Sequence, residues 1–159
     1  MDKKRILVIG TVSIILVVLV IVLLLTLFRS KEMVCTLKSD QSNSGYILET
    51  KYVIKYKGDY VNTVNITETI TSEKKEVLEK FAVQFNDQYS YNKKTYGGYN
   101  YSVDNSGNKV ETNVEIDYTE MNLEKFIKNN EAMKEYTKDN KLTIEGAKKM
   151  YEASGAKCN

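Results

Sequence analysis

Residues 6–28 form an unbroken run of apolar and small residues with no charged side chain, preceded by Lys3, Lys4 and Arg5 and followed by Arg29. A helix rises about 1.5 Å per residue, so a run of this length covers a hydrocarbon core roughly 30 Å thick. A cleaved signal peptide has the same basic start, but its apolar core is about 7 to 15 residues long and ends at a small-residue cleavage site. The run is longer and lacks such a site, so the sequence favours an uncleaved transmembrane helix over a secretory signal.

Basic residues are denser before this run than after it, which favours a cytoplasmic N-terminus. The predicted organisation is a cytoplasmic tail (1–5), a transmembrane helix (6–28), a juxtamembrane link (29–32) and an extracytoplasmic domain (33–159). The expected location is therefore the cell membrane, with a single pass and the C-terminal domain outside. Cys35 is preceded by Lys31, Glu32, Met33 and Val34 rather than by small residues, so no lipid attachment is predicted.

Composition narrows the functions open to the predicted outer domain. The formal net charge of the chain is +2, but the excess of Lys and Arg lies before residue 32 and the remainder is slightly acidic. This removes the electrostatic argument for a nucleic-acid partner. The chain has no histidine, the commonest general base near neutral pH and the commonest transition-metal ligand. We expect one compact domain, no cofactor and no enzymatic activity.

Cys35 and Cys158 lie near the two ends of the predicted domain. Outside the cytoplasm such a pair is more often bridged than free, and a bridge would tie the end of the chain to its first strand. Two reduced, buried thiols are the alternative. Without histidine, two cysteines are too few for a zinc site.

Alternating apolar and polar residues predict an antiparallel sheet. A first strand is expected at 33–37. The segments 46–57 and 60–70 predict a hairpin, because Gly58 occupies the first central position of a type II′ turn. Further strands are predicted at 96–103 and 109–118.

Helices are predicted to cover one face of this sheet. Thr71 or Ser72 can cap a helix that begins at Glu73 and continues to about residue 89, with an apolar stripe that includes two phenylalanines. Asn122 can cap a short helix, and Thr143 a final helix that ends at Gly155. The predicted fold class is α+β, with an N-terminal transmembrane helix followed by an antiparallel sheet of four to five strands covered by two or three helices.

Residues 86–108 combine tyrosines with asparagines and glycines. Aromatic faces beside amide side chains can bind glycans, peptides or another protein. This pattern predicts a ligand surface at Tyr91, Tyr96, Tyr99 and Tyr101. The alternative is that these tyrosines pack on the sheet, since tyrosine is a favoured strand residue.

Four segments resemble a group of small bacterial envelope lipoproteins of the YehR type. They are the hairpin segment 52–59, the capped helix after Thr71, the strand that ends near Asp117, and the closing segment 143–156. The resemblance covers roughly the last two-thirds of the chain and implies a globular domain held at the outer face of the cell. None of these segments is a catalytic signature, so the resemblance implies no activity. The chain departs from the group at its N-terminus, where an apolar run stands in place of a lipidated cysteine.

Three functions remain open on sequence grounds. The first is a non-enzymatic binding or accessory domain, anchored in the membrane, whose partner is an envelope protein or a glycan. The second is a structural partner of another membrane protein, acting through the anchor. The third is an envelope hydrolase that uses paired carboxylates, with Glu115 and Asp117, or Glu111 and Glu115, as the spaced candidates. Carboxylates on the same face of an exposed strand are usually solvated, which argues against the hydrolase. We favour the first function.

Overall fold

The structure is a computed structural model and describes residues 30–159. Long strands with alternating buried and exposed residues dominate this part of the chain. The strands are β1 (Lys31–Gln41), β2 (Tyr46–Lys57), β3 (Tyr60–Thr71), β4 (Tyr99–Ser106), β5 (Lys109–Asp117) and the short β6 (Thr137–Lys138), β7 (Lys141–Leu142) and β8 (Lys157–Cys158). The helices are α1 (Lys75–Tyr96), α2 (Leu123–Asn129) and α3 (Ile144–Ala153), with 3-10 turns at Ser42–Ser44 and Glu131–Tyr136.

The main sheet has six strands in the order β4-β5-β3-β2-β1-β8, and every neighbouring pair is antiparallel. The separate β6-β7 pair forms a second, two-stranded sheet. This confirms the predicted α+β class and the antiparallel sheet, but the sheet has six strands rather than four or five. The extra strand, β8, has only two residues, which is too short for a residue pattern to reveal.

The helices pack on one face of the sheet, which we call the covered face. Its strand residues include Cys35, Ile54, Val64, Ile70 and Val110, all essentially inaccessible to solvent. The opposite face, which we call the open face, has no described helix over it and carries mainly hydroxyl, amide and charged side chains. The domain therefore has one apolar layer between sheet and helices and one polar sheet surface.

The predicted hairpin is confirmed. β2 and β3 pair around Gly58, whose φ of +59° is the left-handed value required at this turn position. Two of the predicted caps are also confirmed, since Asn122 Oδ1 accepts from Lys125 N and Thr143 Oγ1 accepts from Gly146 N, each at 2.9 Å. The cap of α1 differs. Ser72 Oγ accepts from Lys74 N at 3.0 Å and donates to Gly45 O at 2.6 Å, so it joins the helix start to the β1-β2 connection.

Helix α1 continues to Tyr96, well beyond the predicted end near residue 89, and stops at Gly97. No glycine or proline interrupts the tyrosine-rich segment before Gly97, so the helix has no reason to end sooner. Strand β4 consequently begins at Tyr99 instead of residue 96. Strand β1 extends over Lys31–Gln41, beyond the predicted 33–37 at both ends, and pairs with β2 along its whole length.

The predicted disulfide is present. Cys35 and Cys158 are bonded across a sequence separation of 123 residues and face each other in the β1-β8 pair. In the chain-entropy account, closing a loop of this size removes roughly 4 to 5 kcal/mol of unfolded-state freedom. The bond thus fixes the C-terminus at the edge of the sheet.

The structure corrects the predicted membrane architecture. Within residues 30–159 no helix is both long enough and apolar enough to cross a bilayer. The longest of them, α1, carries lysines, glutamates and asparagines along its length. This finding contradicts the predicted transmembrane helix, the single-pass signal anchor and the cell-membrane location. Residues 6–28, on which that prediction rested, lie outside the described residues.

Candidate functional site

A carboxylate and five tyrosines converge on the covered face between α1 and α3. The carboxylate is Glu68 of β3. The tyrosine cluster consists of Tyr52 of β2, Tyr89 of α1, Tyr99 of β4, Tyr118 after β5 and Tyr151 of α3. Their hydroxyls are near enough for a charge on one to raise the pKa of its neighbours. Strands β2, β3 and β4, the end of β5, and helices α1 and α3 therefore each contribute a polar group to this region.

Glu68 lies in register between Thr50 of β2 and Thr112 of β5, so its side chain points to the covered face with its neighbours. The Tyr89 hydroxyl donates a hydrogen bond of 2.7 Å to Glu68 Oε2. Burial raises the pKa of the Glu68 carboxyl, and the bond from Tyr89 opposes that shift only in part. Among the described residues, no Lys or Arg nitrogen lies within 4.0 Å of the Glu68 carboxylate. Glu68 is thus a partly desolvated carboxylate without a cation.

The region around Glu68 is only partly closed. Tyr89 forms its wall on the α1 side. Tyr151 lies on the α3 side, where its ring packs against Tyr52 at a centroid distance of 4.2 Å and a tilt of 32°. Between these walls Leu48, Tyr52 and Glu68 are half-buried, so the floor of the cleft reaches solvent. We refer to this region as the Glu68 cleft.

The tyrosines of the cluster are hydrogen-bond donors and not nucleophiles. Burial is the main cause that raises the pKa of Tyr52, Tyr89, Tyr99, Tyr118 and Tyr151, and the pKa of Tyr99 rises to about 12. All five phenols therefore stay protonated near neutral pH. The cleft offers neutral hydroxyls and aromatic faces around a single negative charge.

Beside Glu68 lies a buried hydroxyl that no described residue satisfies. Thr112 is completely buried, and its Oγ1 has no hydrogen-bond partner in the part of the chain that the structure describes. An unsatisfied buried hydroxyl costs about 1 to 3 kcal/mol, so its presence beside an unpaired carboxylate marks this part of the sheet as poorly optimised for stability. Strained or unsatisfied polar groups of this kind tend to mark functional sites.

The four tyrosines predicted as a ligand surface are not brought together on one surface. Tyr99 belongs to the buried cluster, and Tyr101 packs on Tyr89 with its hydroxyl donating to Asn86 Oδ1 at 3.3 Å. Tyr96 lies under Phe126, edge to face at 5.0 Å, and accepts from Asn129 Nδ2. Tyr91 alone is well exposed, at 60% of its surface.

The carboxylates predicted for a hydrolase lie on β5, on the open face, away from the Glu68 cleft. Glu111 is paired with Lys109 at 2.9 Å, and hydrogen bonding to Lys109 lowers the pKa of its carboxyl. Glu115 is exposed, and Asp117 Oδ1 accepts from the backbone N of Thr119. Within residues 30–159 no group of three or more His, Cys, Asp or Glu side chains is placed to hold a metal ion.

The open face also has two shallow depressions, of about 400 and 320 Å³, that share Thr67. Their lining consists mainly of hydroxyl, amide, charged and aliphatic groups, and Tyr101 is the one aromatic residue in it. Their charged groups are exposed, as in the Lys38–Glu49 pair. The Glu68 cleft combines a perturbed carboxyl with aromatic walls, and we therefore regard it as the candidate site.

The residue pattern held one signal for this site. Glu68 is in phase with Val64, Ile66 and Ile70, the apolar residues of β3, so an acidic residue occupies a position that should face the core. The tyrosine cluster had no such signal, because its members come from five separate segments.

Comparison with known proteins places the fold but not the activity. No protein-family profile matches the chain, and no curated protein matches it. The NMR structure of the Escherichia coli YehR protein is similar, with a TM-score of 0.54 at 17% sequence identity over 82% of this chain and 93% of that one. An NMR structure of a protein from Streptococcus pneumoniae TIGR4 covers 82% of this chain and 86% of its own, with a TM-score of 0.47 at 16% identity. The domain thus has a YehR-like fold, and no finding supports lipid attachment.

Proposed function

We propose that the domain is a non-enzymatic binding protein that holds a ligand bearing a protonated amine in the Glu68 cleft. The observation that supports this is the half-buried Glu68 carboxylate, which has a phenol donor in Tyr89 but no cationic partner among the described residues. A bound ammonium group would supply the missing charge.

The chemistry of the walls fits such a ligand. Ammonium groups are attracted to the faces of aromatic rings as well as to carboxylates, and the attraction grows when both are partly desolvated. The half-buried Tyr52 lies close enough to Glu68 for the carboxylate to raise its pKa, and its ring packs against Tyr151. The protonated hydroxyls of the cluster can donate to acceptor atoms elsewhere on the ligand, which would fix its orientation.

The same groups offer little for catalysis. A general acid and base pair needs two groups whose pKa values are separated, and a nucleophile needs a lowered pKa or an adjacent base. Here a single carboxyl has a raised pKa, and every shifted tyrosine pKa moves away from neutrality. Binding is therefore the function that these residues support best.

The disulfide supports work in an oxidising compartment, since stable structural disulfides are rare in the cytosol. We also infer membership of the YehR group, which the likeness of fold supports.

The experiment compares phenethylamine, which carries an ammonium group at neutral pH, with its neutral isostere 2-phenylethanol. Isothermal titration calorimetry and thermal unfolding of the full-length protein would measure binding at pH 7. We expect phenethylamine to bind and 2-phenylethanol not to bind. At a concentration of about 100 times Kd the amine should stabilise the fold by about 2.7 kcal/mol.

Two matched variants assign the binding to the cleft. Glu68→Gln keeps the shape and the acceptor for Tyr89 but removes the charge, and it should abolish amine binding in a folded protein. Glu115→Gln removes an exposed glutamate from the open face and should bind as the wild type does. Equal binding of the amine and the alcohol, or unchanged amine binding by Glu68→Gln, would overturn the proposal.

A further inference from the structure

Strand β4 forms one edge of the main sheet, and no other described strand pairs with its outer side. Asp117 N donates to Gly98 O at 2.7 Å, just before the first residue of β4. Hydrogen-bonded pairs alternate along an antiparallel ladder, so the N–H and C=O groups of Tyr101, Val103 and Asn105 are directed away from β5. These backbone groups form a free row at the edge of the sheet.

The two edges of the sheet differ in how well they are protected from pairing with another strand. The β1 edge carries lysines and acidic residues, and β8, held by the disulfide, pairs with its centre. Natural sheets protect their edges with lysines, prolines, bulges or covering segments. Strand β4 has eight residues, contains no lysine or proline, and keeps an unbroken register with β5. It is therefore an unprotected edge.

A groove runs beside this edge, between β4 and α1. It encloses about 330 Å³ and is lined by Ala82, Val83, Asn86, Val103 and Asn105, which we call the β4 groove. Val83 is 62% exposed, and it is one of two large hydrophobic side chains that are exposed within residues 30–159. An apolar side chain of an added strand would find Val83 and Val103 at this position.

Charge on the open face of β4 and β5 favours a basic partner. Asp104 faces Glu111 in register, and Glu115 lies farther along β5. Lys109 is the single cation of these two strands, and it is already paired with Glu111. At the other end of β4, Lys93 reaches Asn100 at 3.4 Å. Asp104 is close enough to Lys109 to raise its pKa, but it forms no ion pair within residues 30–159.

We propose that the β4 edge is a docking site for an extended basic segment of a partner protein, which adds a strand to the sheet and places an apolar side chain in the β4 groove. In strand addition the main-chain hydrogen bonds supply affinity, and the alternating side chains supply specificity. The partner segment alternates apolar residues on the groove side with basic residues on the open face, one of them opposite Asp104. This site is separate from the Glu68 cleft and does not depend on its function.

The test uses a short fluorescein-labelled peptide of alternating valine and lysine, and the same peptide with glutamate in place of lysine. Fluorescence anisotropy with the full-length protein measures Kd, and hydrogen exchange reports on the β4 amides. We expect saturable binding of the lysine peptide alone, with slowed exchange at Val103 and Asn105.

Three variants locate the contact. Val83→Lys should weaken binding about tenfold by removing the apolar contact. Asp104→Lys should weaken it about fivefold through charge reversal. Tyr91→Lys alters an equally exposed α1 residue outside the groove and should leave Kd unchanged. All three positions are exposed, so the variants should remain folded.

Three results would overturn the proposal. The first is no binding of the lysine peptide, and the second is equal binding of the two peptides. The third is a dimer of the free protein, seen by sedimentation, that Val83→Lys and Asp104→Lys abolish, because the edge would then serve a second copy of the chain.

Discussion

The Tyr89 hydroxyl donates a 2.7 Å hydrogen bond to Glu68 Oε2, so a side chain of α1 holds a carboxylate of β3 within the covered face. The carboxylate gains one good donor and loses much of its water, and the loss dominates because the pKa of Glu68 is raised. A glutamine would accept the same bond without a charge. The presence of glutamate at this position therefore favours ligand recognition over stability as its role.

The first prediction is that Glu68→Gln stabilises the protein at pH 7. A carboxyl whose pKa is raised on folding stabilises the fold below its unfolded value, near 4.5, and this contribution is lost as the pH rises through the folded value. The increase in the free energy of unfolding caused by Glu68→Gln should therefore be absent near pH 4. At pH 7 it should reach about 1.4 kcal/mol for each pH unit by which folding raises the pKa of Glu68. Urea unfolding at both pH values measures it, and Glu115→Gln is the control. A loss of stability at pH 7 would contradict the unpaired state of Glu68.

The second prediction concerns the donor. Tyr89→Phe removes the hydrogen bond to Glu68 and should destabilise the fold at pH 7 by about 1.5 to 3 kcal/mol, the range for a bond to a charged group. In the Glu68→Gln background the loss should be smaller, because the acceptor is neutral. Tyr101→Phe is the matched control, since its hydroxyl bonds to exposed Asn86. Equal losses in the two backgrounds would show that Tyr89 acts only through packing.

The third prediction uses two buried threonines on either side of Glu68. The Thr112 hydroxyl has no partner in the described residues, whereas the Thr50 hydroxyl interacts with the Tyr52 phenol and partly offsets the rise in its pKa. Thr112→Val should be neutral or stabilising, and Thr50→Val should cost about 1 kcal/mol. Thermal unfolding of both variants measures the difference. A clear loss for Thr112→Val would mean that its hydroxyl is satisfied by an ordered water next to Glu68.

The fourth prediction is that the fold depends on its disulfide. Replacing both Cys35 and Cys158 by alanine should lower the free energy of unfolding by about 2 to 5 kcal/mol, because β8 is no longer held on β1. Wild-type protein treated with a reductant should shift in the same direction, and the double variant should not respond to it. Identical unfolding curves with and without reductant would contradict this role.

Elements with strong local signals were predictable from the sequence. The β2-β3 hairpin follows from regular alternation and a glycine turn, and the caps at Asn122 and Thr143 follow from residue type. The end of α1 was misplaced because tyrosine and asparagine favour other structures only weakly, and nothing before Gly97 stops a helix. Strand β8 forms because the disulfide and β1 hold it, which is a tertiary effect.

The candidate site was harder to predict than the fold. Its members come from four strands or their ends and two helices, and only the packing of α1 and α3 on the sheet brings them together. Attention to tyrosine density selected Tyr91 and Tyr96, which lie on α1 and pack edge to face with each other, away from Glu68. The one local signal was an acidic residue at an apolar position of β3.

The most direct test of the account is the titration of Glu68 by NMR, following its side-chain carboxyl carbon in the full-length protein with and without phenethylamine. We expect a pKa above the ordinary value of a glutamate in the free protein, because burial disfavours the charged form, and a lower pKa when the amine is bound, because a cation favours it. An ordinary pKa that the amine leaves unchanged would contradict both the unpaired carboxylate and the proposed ligand class.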